Sequence, residues 1–113
     1  MQRNIKSKGF EPPKPIMTLI DRLASKLEKN IETFSPDAVH LRLMLEYNSA
    51  RKLYTASLAL DVPGKTIAAK EEQHDLQAAV RAAFDDVEGQ LKKYKVNLRK
   101  EYLKRRERRK DAA

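Results

Sequence analysis

An α+β domain of order β-α-β-β-β-α, with a four-stranded sheet and two helices packed on one of its faces, is what three features of this 113-residue chain predict. Apolar residues alternate with period two between Val39 and Val62, as in strands with one buried face. On either side of that block they recur at helical spacing. Proline and glycine punctuate the changes of rhythm. Helices segregated to one face of a sheet made of neighbouring hairpins give a two-layer fold, and the sheet is expected to be antiparallel.

The first element is a short strand over 4–10, closed by glycine. Pro12, Pro13 and Pro15 then interrupt regular structure and set a helix start at Pro15 or Ile16, because a proline in the first turn forfeits no hydrogen bond. Leu19, Ile20, Leu23, Leu27 and Ile31 define one apolar face, and Ser35-Pro36-Asp37 breaks it, so helix one is placed at about 16–33. Val39, Leu41, Leu43, Leu45 and Tyr47 alternate with polar neighbours as a strand, and Asn48-Ser49 forms a turn. Tyr54, Ala56, Leu58, Leu60 and Val62 make the next strand, which ends at Pro63-Gly64, and a short strand covers Thr66 to Lys70. After Glu71 the stripe Leu76, Val80, Ala83, Phe84, Val87, Leu91, Tyr94 and Leu98 predicts one long helix.

Composition bounds the chemistry. The chain is 41% hydrophobic, 35% charged and 6% aromatic, which implies one aliphatic core under a strongly ionic surface. With no cysteine, disulfides, thiolate metal sites and cysteine nucleophiles are excluded. No run of 18 apolar residues and no signal-peptide core is present, and the expectation is a soluble cytoplasmic protein.

Charge is distributed unevenly. Residues 92–110 hold eleven of the 24 lysines and arginines against Glu101 and Glu107 only, whereas 1–91 balances thirteen basic groups with thirteen acidic ones. A domain over 1–100 and a basic tail over 101–113 follow from this. Concentrated positive charge suits a polyphosphate partner, since each neutralised phosphate releases counterions. A solvated helix end is the competing reading. Arg22, Lys26 and Lys29 share a stripe on helix one, and Lys92, Lys95 and Arg99 share one on helix two, with Lys93 and Lys100 a step further round. Helices lying side by side would merge the two stripes. Tyr94 has the spacing of a core residue, while Tyr102 is free to stack on unpaired bases.

Three stretches carry a family resemblance. Asp75-Leu76-Gln77-Ala78-Ala79-Val80, followed by Asp85, Val87 and Gln90-Leu91-Lys92-Lys93-Tyr94-Lys95, resembles the second helix of the ribosome hibernation-promoting factors, also called the sigma-54 modulation or ribosome-associated inhibitor family. Lys26-Leu27-Glu28-Lys29 falls where that family has its first-helix lysines, and Val62-Pro63-Gly64-Lys65 through Ala69 fits its last turn and strand. The likeness covers roughly residues 4–98. It implies a short-form member, with no second dimerisation domain, that binds the small ribosomal subunit between head and body. There it would block the messenger and transfer RNA channel of idle ribosomes. It implies Lys26, Lys29, Lys93 and Lys95 as ribosomal RNA contacts, to which stripe geometry adds Arg22, Lys92 and Arg99. Asp86 and Gly89 stand where the family is usually basic, and Arg81 where it is acidic. The tail from Arg99 to Lys110 can supply compensating charge.

An enzyme is not expected. Pro63-Gly64-Lys65-Thr66 lacks the first glycine of a phosphate-binding loop, and the two histidines, His40 and His74, have no evident metal or nucleophile partners. Glu71/Glu72 and Asp85/Asp86 are adjacent pairs whose side chains diverge on a helix, and acids near a helix start complement its dipole. No cofactor, metal, membrane or DNA is expected, and the isolated protein is expected to be a monomer. Two other readings remain: a general structured-RNA module related to double-stranded RNA-binding domains, and a protein-interaction element pairing through Val87, Leu91, Tyr94 and Leu98.

Overall fold

The computed structural model describes residues 1–32 and 34–111, with 101–111 as backbone alone. The chain runs β1 (Gln2–Lys8), α1 (Lys14–Lys29), a 3-10 turn (Pro36–Ala38), β2 (His40–Asn48), β3 (Leu53–Val62), β4 (Lys65–Gln73) and α2 (Leu76–Asp111). The predicted order of strands and helices is the order found. The strands lie in a single sheet in sequence order, β1-β2-β3-β4.

One expectation is corrected at the sheet edge. β2, β3 and β4 form the antiparallel meander, but β1 pairs parallel to β2, with Ile5 opposite Leu43, so the sheet is mixed. The cause is α1, which carries the chain back across one face. A strand, crossover helix and neighbouring strand are joined in parallel, whereas tight turns join antiparallel neighbours. Glu71 and Glu72, read as lying near a helix start, belong instead to β4.

Turn chemistry explains the meander. The Asn48 side-chain oxygen accepts from the backbone N–H groups of Ala50 (3.0 Å) and Arg51 (3.2 Å) and closes the β2–β3 connection. Between β3 and β4, Pro63 is followed by Gly64 at φ +86°, a backbone state that a side chain disfavours. A Cβ there would also meet the Tyr94 hydroxyl at 3.3 Å.

The two-residue alternation becomes the core. Leu41, Leu43, Leu45, Ala56, Leu58, Leu60, Ile67 and Ala69 are buried under the helices. α1 contributes Leu19, Ile20, Ala24 and Leu27, and the chain just beyond it Ile31. Each large aliphatic side chain removed from water stabilises the fold by about 1.5–3 kcal/mol. α1 starts at Lys14 on Pro13, with Pro15 in its first turn, and ends at Lys29 rather than near 33.

α2 packs over β3 and β4 and against α1. Leu76, Ala79, Val80, Ala83, Phe84, Val87 and Leu91 are buried, and Tyr94 is half-buried. Its hydroxyl donates to the Pro63 carbonyl at 3.0 Å, and the Lys65 ammonium lies 5.3 Å from its ring centre. Tyr94 is thus a core-edge residue, as its spacing indicated. Leu98, expected on the same stripe, is 40% exposed, and Val96 is 50% exposed, because the helix has by then run past the sheet. α2 continues as helix across residue 100 to Asp111, for a length of about 54 Å at 1.5 Å per residue. The side chains of 101–113, Tyr102 included, lie outside the described residues.

Candidate nucleic-acid interface

The two flanks of α1 are electrically opposite. On the flank towards β1, Asp21, Ser25 and Glu28 engage Arg3, whose guanidinium donates to Glu28 at 3.1 Å and to Ser25 at 3.3 Å and lies 3.7 Å from Asp21. Glu28 also accepts from the Met1 ammonium at 3.4 Å, so two cations answer those two acids within the fold. Arg22, Lys26 and Lys29 occupy the other side of the helix and are exposed. Lys26 and Lys29 lie in its last turn, where cations complement the helix dipole.

Glu88 of α2 joins that side to the second helix. Its carboxylate lies 3.5 Å from the Lys92 ammonium, one turn along α2, and 4.0 Å from the Lys26 ammonium on α1. The Glu88 side chain is only 20% exposed, against 67% for Lys26 and 68% for Lys92. The acid therefore sits low between the helices with the two cations above it. The stripes expected to merge do merge here, through a carboxylate that was not among the anticipated site residues.

Lys95 has a different task. Its ammonium donates to the Asn30 carbonyl at 2.6 Å, in a partly buried bond that ties α2 to the C-terminal cap of α1. One of the anticipated phosphate ligands is thus engaged in joining the helices. Lys93 lies 100° round α2 from Lys92, so it belongs to the outer face and not to the ridge between the helices. Arg99 stands seven residues, about two turns, beyond Lys92 on the same stripe, and is exposed. Among the described residues, Arg22, Lys29, Lys93 and Arg99 make no ion pair.

Arg81 extends the ridge towards the N-terminal end of α2. It is exposed and stands seven residues before Glu88, hence on the same stripe. The seven-residue series Arg81, Glu88, Lys95 and the pair Lys92, Arg99 were readable in the sequence, but a search for cations four residues apart does not find the acid among them. Asp86 and Gln90 face the other way: the Gln90 amide donates to the Ala68 carbonyl of β4 (2.8 Å) and to Asp86 (3.1 Å). Asp86 therefore leaves the ridge unopposed.

On the uncovered face of the sheet, Asp61 accepts from the Thr66 hydroxyl (2.7 Å) and from Arg42 (3.1 Å). The Thr66 bond and the Arg42 charge hold its carboxyl below the ordinary aspartate value. His74 Nδ1 donates to the Lys52 carbonyl at 3.0 Å, which gives this ring a local structural partner. Among the described residues, no group of three or more His, Cys, Asp or Glu is placed to hold a metal ion. Among the described residues, no helix is long and apolar enough to cross a membrane.

Comparison with known proteins bears on this geometry. Residues 3–99 match the family described as sigma 54 modulation protein / S30EA ribosomal protein. The chain is 27% identical over 103 residues to a ribosome hibernation promotion factor of Deinococcus radiodurans. That match takes in 91% of this chain and 51% of the relative, so the chain spans about half the relative's length. Among solved structures, the N-terminal domain of Thermus thermophilus Protein Y aligns with TM-score 0.69 at 22% identity, covering 83% of this chain and 99% of that one. A ribosomal subunit interface protein from Coxiella burnetii aligns with TM-score 0.64 at 22% identity, over 85% of this chain and 99% of its own. These structures share the fold.

Proposed function

Because the chain belongs to the sigma 54 modulation protein / S30EA ribosomal protein family, we propose that it is a cytoplasmic, non-enzymatic ribosome hibernation factor. It binds the small ribosomal subunit as a monomer and occupies the messenger and transfer RNA channel, so that translation is blocked by occupancy. The observation that carries this reading is the junction of Lys26, Glu88 and Lys92, which aligns the basic sides of two helices into one ridge. Arg22, Lys26, Lys29, Lys92 and Arg99 are the ridge contacts to ribosomal RNA phosphates. Lys93 serves a second RNA surface on the outer face. Lys95 supports the ridge from beneath and reaches phosphate only by releasing Asn30.

Specificity comes from the shape of the cleft and from many phosphate contacts, since such contacts fix position without reading bases. Five phosphate contacts on the ridge give a slope of log affinity against log salt of about −3.5 to −4.5. The test is co-sedimentation with small subunits in rising salt, comparing the parent with a Lys26→Glu/Lys92→Glu variant. The variant is expected to lose binding by tenfold or more and to show a shallower slope. Unchanged association would remove the proposal.

The general structured-RNA module is separated by one measurement: equal affinity for a free RNA duplex and for subunits would favour it. Against the helix-pairing alternative, Val87 and Leu91 of its stripe have no exposure and Tyr94 donates to Pro63, which leaves Leu98 as the exposed member of the four.

A further inference from the structure

The end of α2 is a feature that the family match leaves out. The match stops at residue 99, and the two solved neighbours are 99% covered while 15–17% of this chain has no counterpart in them. α2 nevertheless continues to Asp111. Beyond Lys95 the helix runs about 24 Å further over sixteen residues. Among the described side chains of α2, Leu91 is the last that is buried, and Val96 and Leu98 are already exposed, so the arm departs from the end of the sheet.

From residue 96 to 111 the sequence has eight lysines and arginines against three acids. Four of the basic residues, Arg105, Arg106, Arg108 and Arg109, form a dense arginine run. Like charges recur four residues apart at Lys100/Lys104, Lys104/Arg108, Arg105/Arg109 and Arg106/Lys110, a spacing that opposes the helix in water. A polyanion removes that opposition, so helix formation and binding favour each other. At 100° per residue these basic positions fall on every side of the helix axis. Such a helix is matched by phosphates that surround it, as in a groove of structured RNA, more than by a flat surface.

Other occupants fit less well. Within 99–111 the large apolar residues are Tyr102 and Leu103 alone, which is too little for an interfacial membrane helix or for a heptad seam with a partner helix. We infer that the arm of α2 beyond Arg99 is a second RNA-docking element, which inserts into a groove of structured RNA next to the site of the ridge. This inference rests on the ridge reading for the identity of the RNA, though not for the chemistry of the arm.

The experiment compares the full chain, a full-length Arg105→Ala/Arg106→Ala/Arg108→Ala/Arg109→Ala variant, and the Lys26→Glu/Lys92→Glu variant. Probes are small ribosomal subunits, a short RNA duplex, and vesicles of phosphatidylserine with phosphatidylcholine. Alanine preserves helix propensity, so the arm variant should melt with the parent. It is expected to bind both RNA probes about tenfold more weakly at physiological salt, with a salt slope shallower by about three. RNA duplex should also raise the helical signal at 222 nm of the parent more than that of the arm variant. Unchanged RNA affinity and slope would overturn the inference, as would vesicle binding as tight as duplex binding. If only the ridge variant loses subunit binding, the arm inference fails while the ridge stands; if only the arm variant does, the ridge reading fails and the arm stands.

Discussion

Replacing Glu88 with glutamine should separate two properties that usually change together. In the folded protein the carboxylate holds Lys92 at 3.5 Å and Lys26 at 4.0 Å, with both lysine side chains about two-thirds exposed. Ion pairs at this exposure contribute about 0–1 kcal/mol each, so their joint loss should cost about 0.5–1 kcal/mol and lower the melting temperature by a few degrees. Binding should move the other way. A phosphate resting on those two ammonium groups stands roughly 6–7 Å from the carboxylate, where repulsion between unit charges in water is about 0.6 kcal/mol, and more as solvent is excluded. Glutamine removes the repulsion and frees both cations, which gives about two- to fivefold tighter association with small subunits. Thermal melting and a subunit-binding titration at one fixed salt concentration read the two effects. Weaker binding in proportion to lost stability would refute the argument, since it would mean that the carboxylate acts on RNA only by holding the helices in place.

Further expectations concern neighbouring positions. Lys95→Met should lower stability by about 1 kcal/mol, because the Asn30 carbonyl loses a partly buried 2.6 Å donor; denaturant titration measures it, and an unchanged midpoint would count against that bond. Gly89→Ala should raise stability by about 0.5–1 kcal/mol, since an added Cβ meets nothing within 4 Å and glycine is a poor helix former. For Asp61, the folded carboxyl titrates below the reference value of 3.8, so its contribution is complete above that value and is lost as pH falls through the lower folded one. Asp61→Asn should therefore melt below the parent at neutral pH, with the gap closing in acid below the reference value; a constant gap would assign the effect to shape and not to charge.

The meander and the core were legible because their signals are local. Alternation from Val39 to Val62 fixes which residues face the helices, and Leu41, Leu43, Leu58 and Leu60 are buried as that pattern demands. The direction of β1 was less accessible, since a strand's own residues do not state which way its neighbour runs; that information lies in the helix between them. Leu98 continued an apolar spacing that the sheet is too short to cover. The basic stripes were readable as spacing, but the roles within them were not. Whether a lysine meets solvent, Glu88 or the Asn30 carbonyl depends on how α1 and α2 sit against each other, a tertiary relation between residues up to 65 positions apart.

The two helices run in the same direction, because each leaves the sheet at the end where β1 and β4 finish and returns across the same face. That arrangement puts the C-terminal end of α1 beside the middle of α2, where its unsatisfied carbonyls and negative dipole end require cations. Lys95 meets that requirement directly at Asn30, and Lys26 and Lys29 meet it through the dipole of the last turn. The fold thus draws lysines to the place where an RNA ligand would also need them. Internal acids then set how many stay available: Asp21 and Glu28 are engaged by Arg3 and the Met1 ammonium, which leaves Arg22 and Lys29 without an acid partner among the described residues. Among the described residues Glu88 alone is placed within the ridge, where it holds both helices and competes with phosphate for the same two ammonium groups. Affinity for a polyanion is on this account set less by the number of lysines than by where the few acids of α1 and α2 direct their charge.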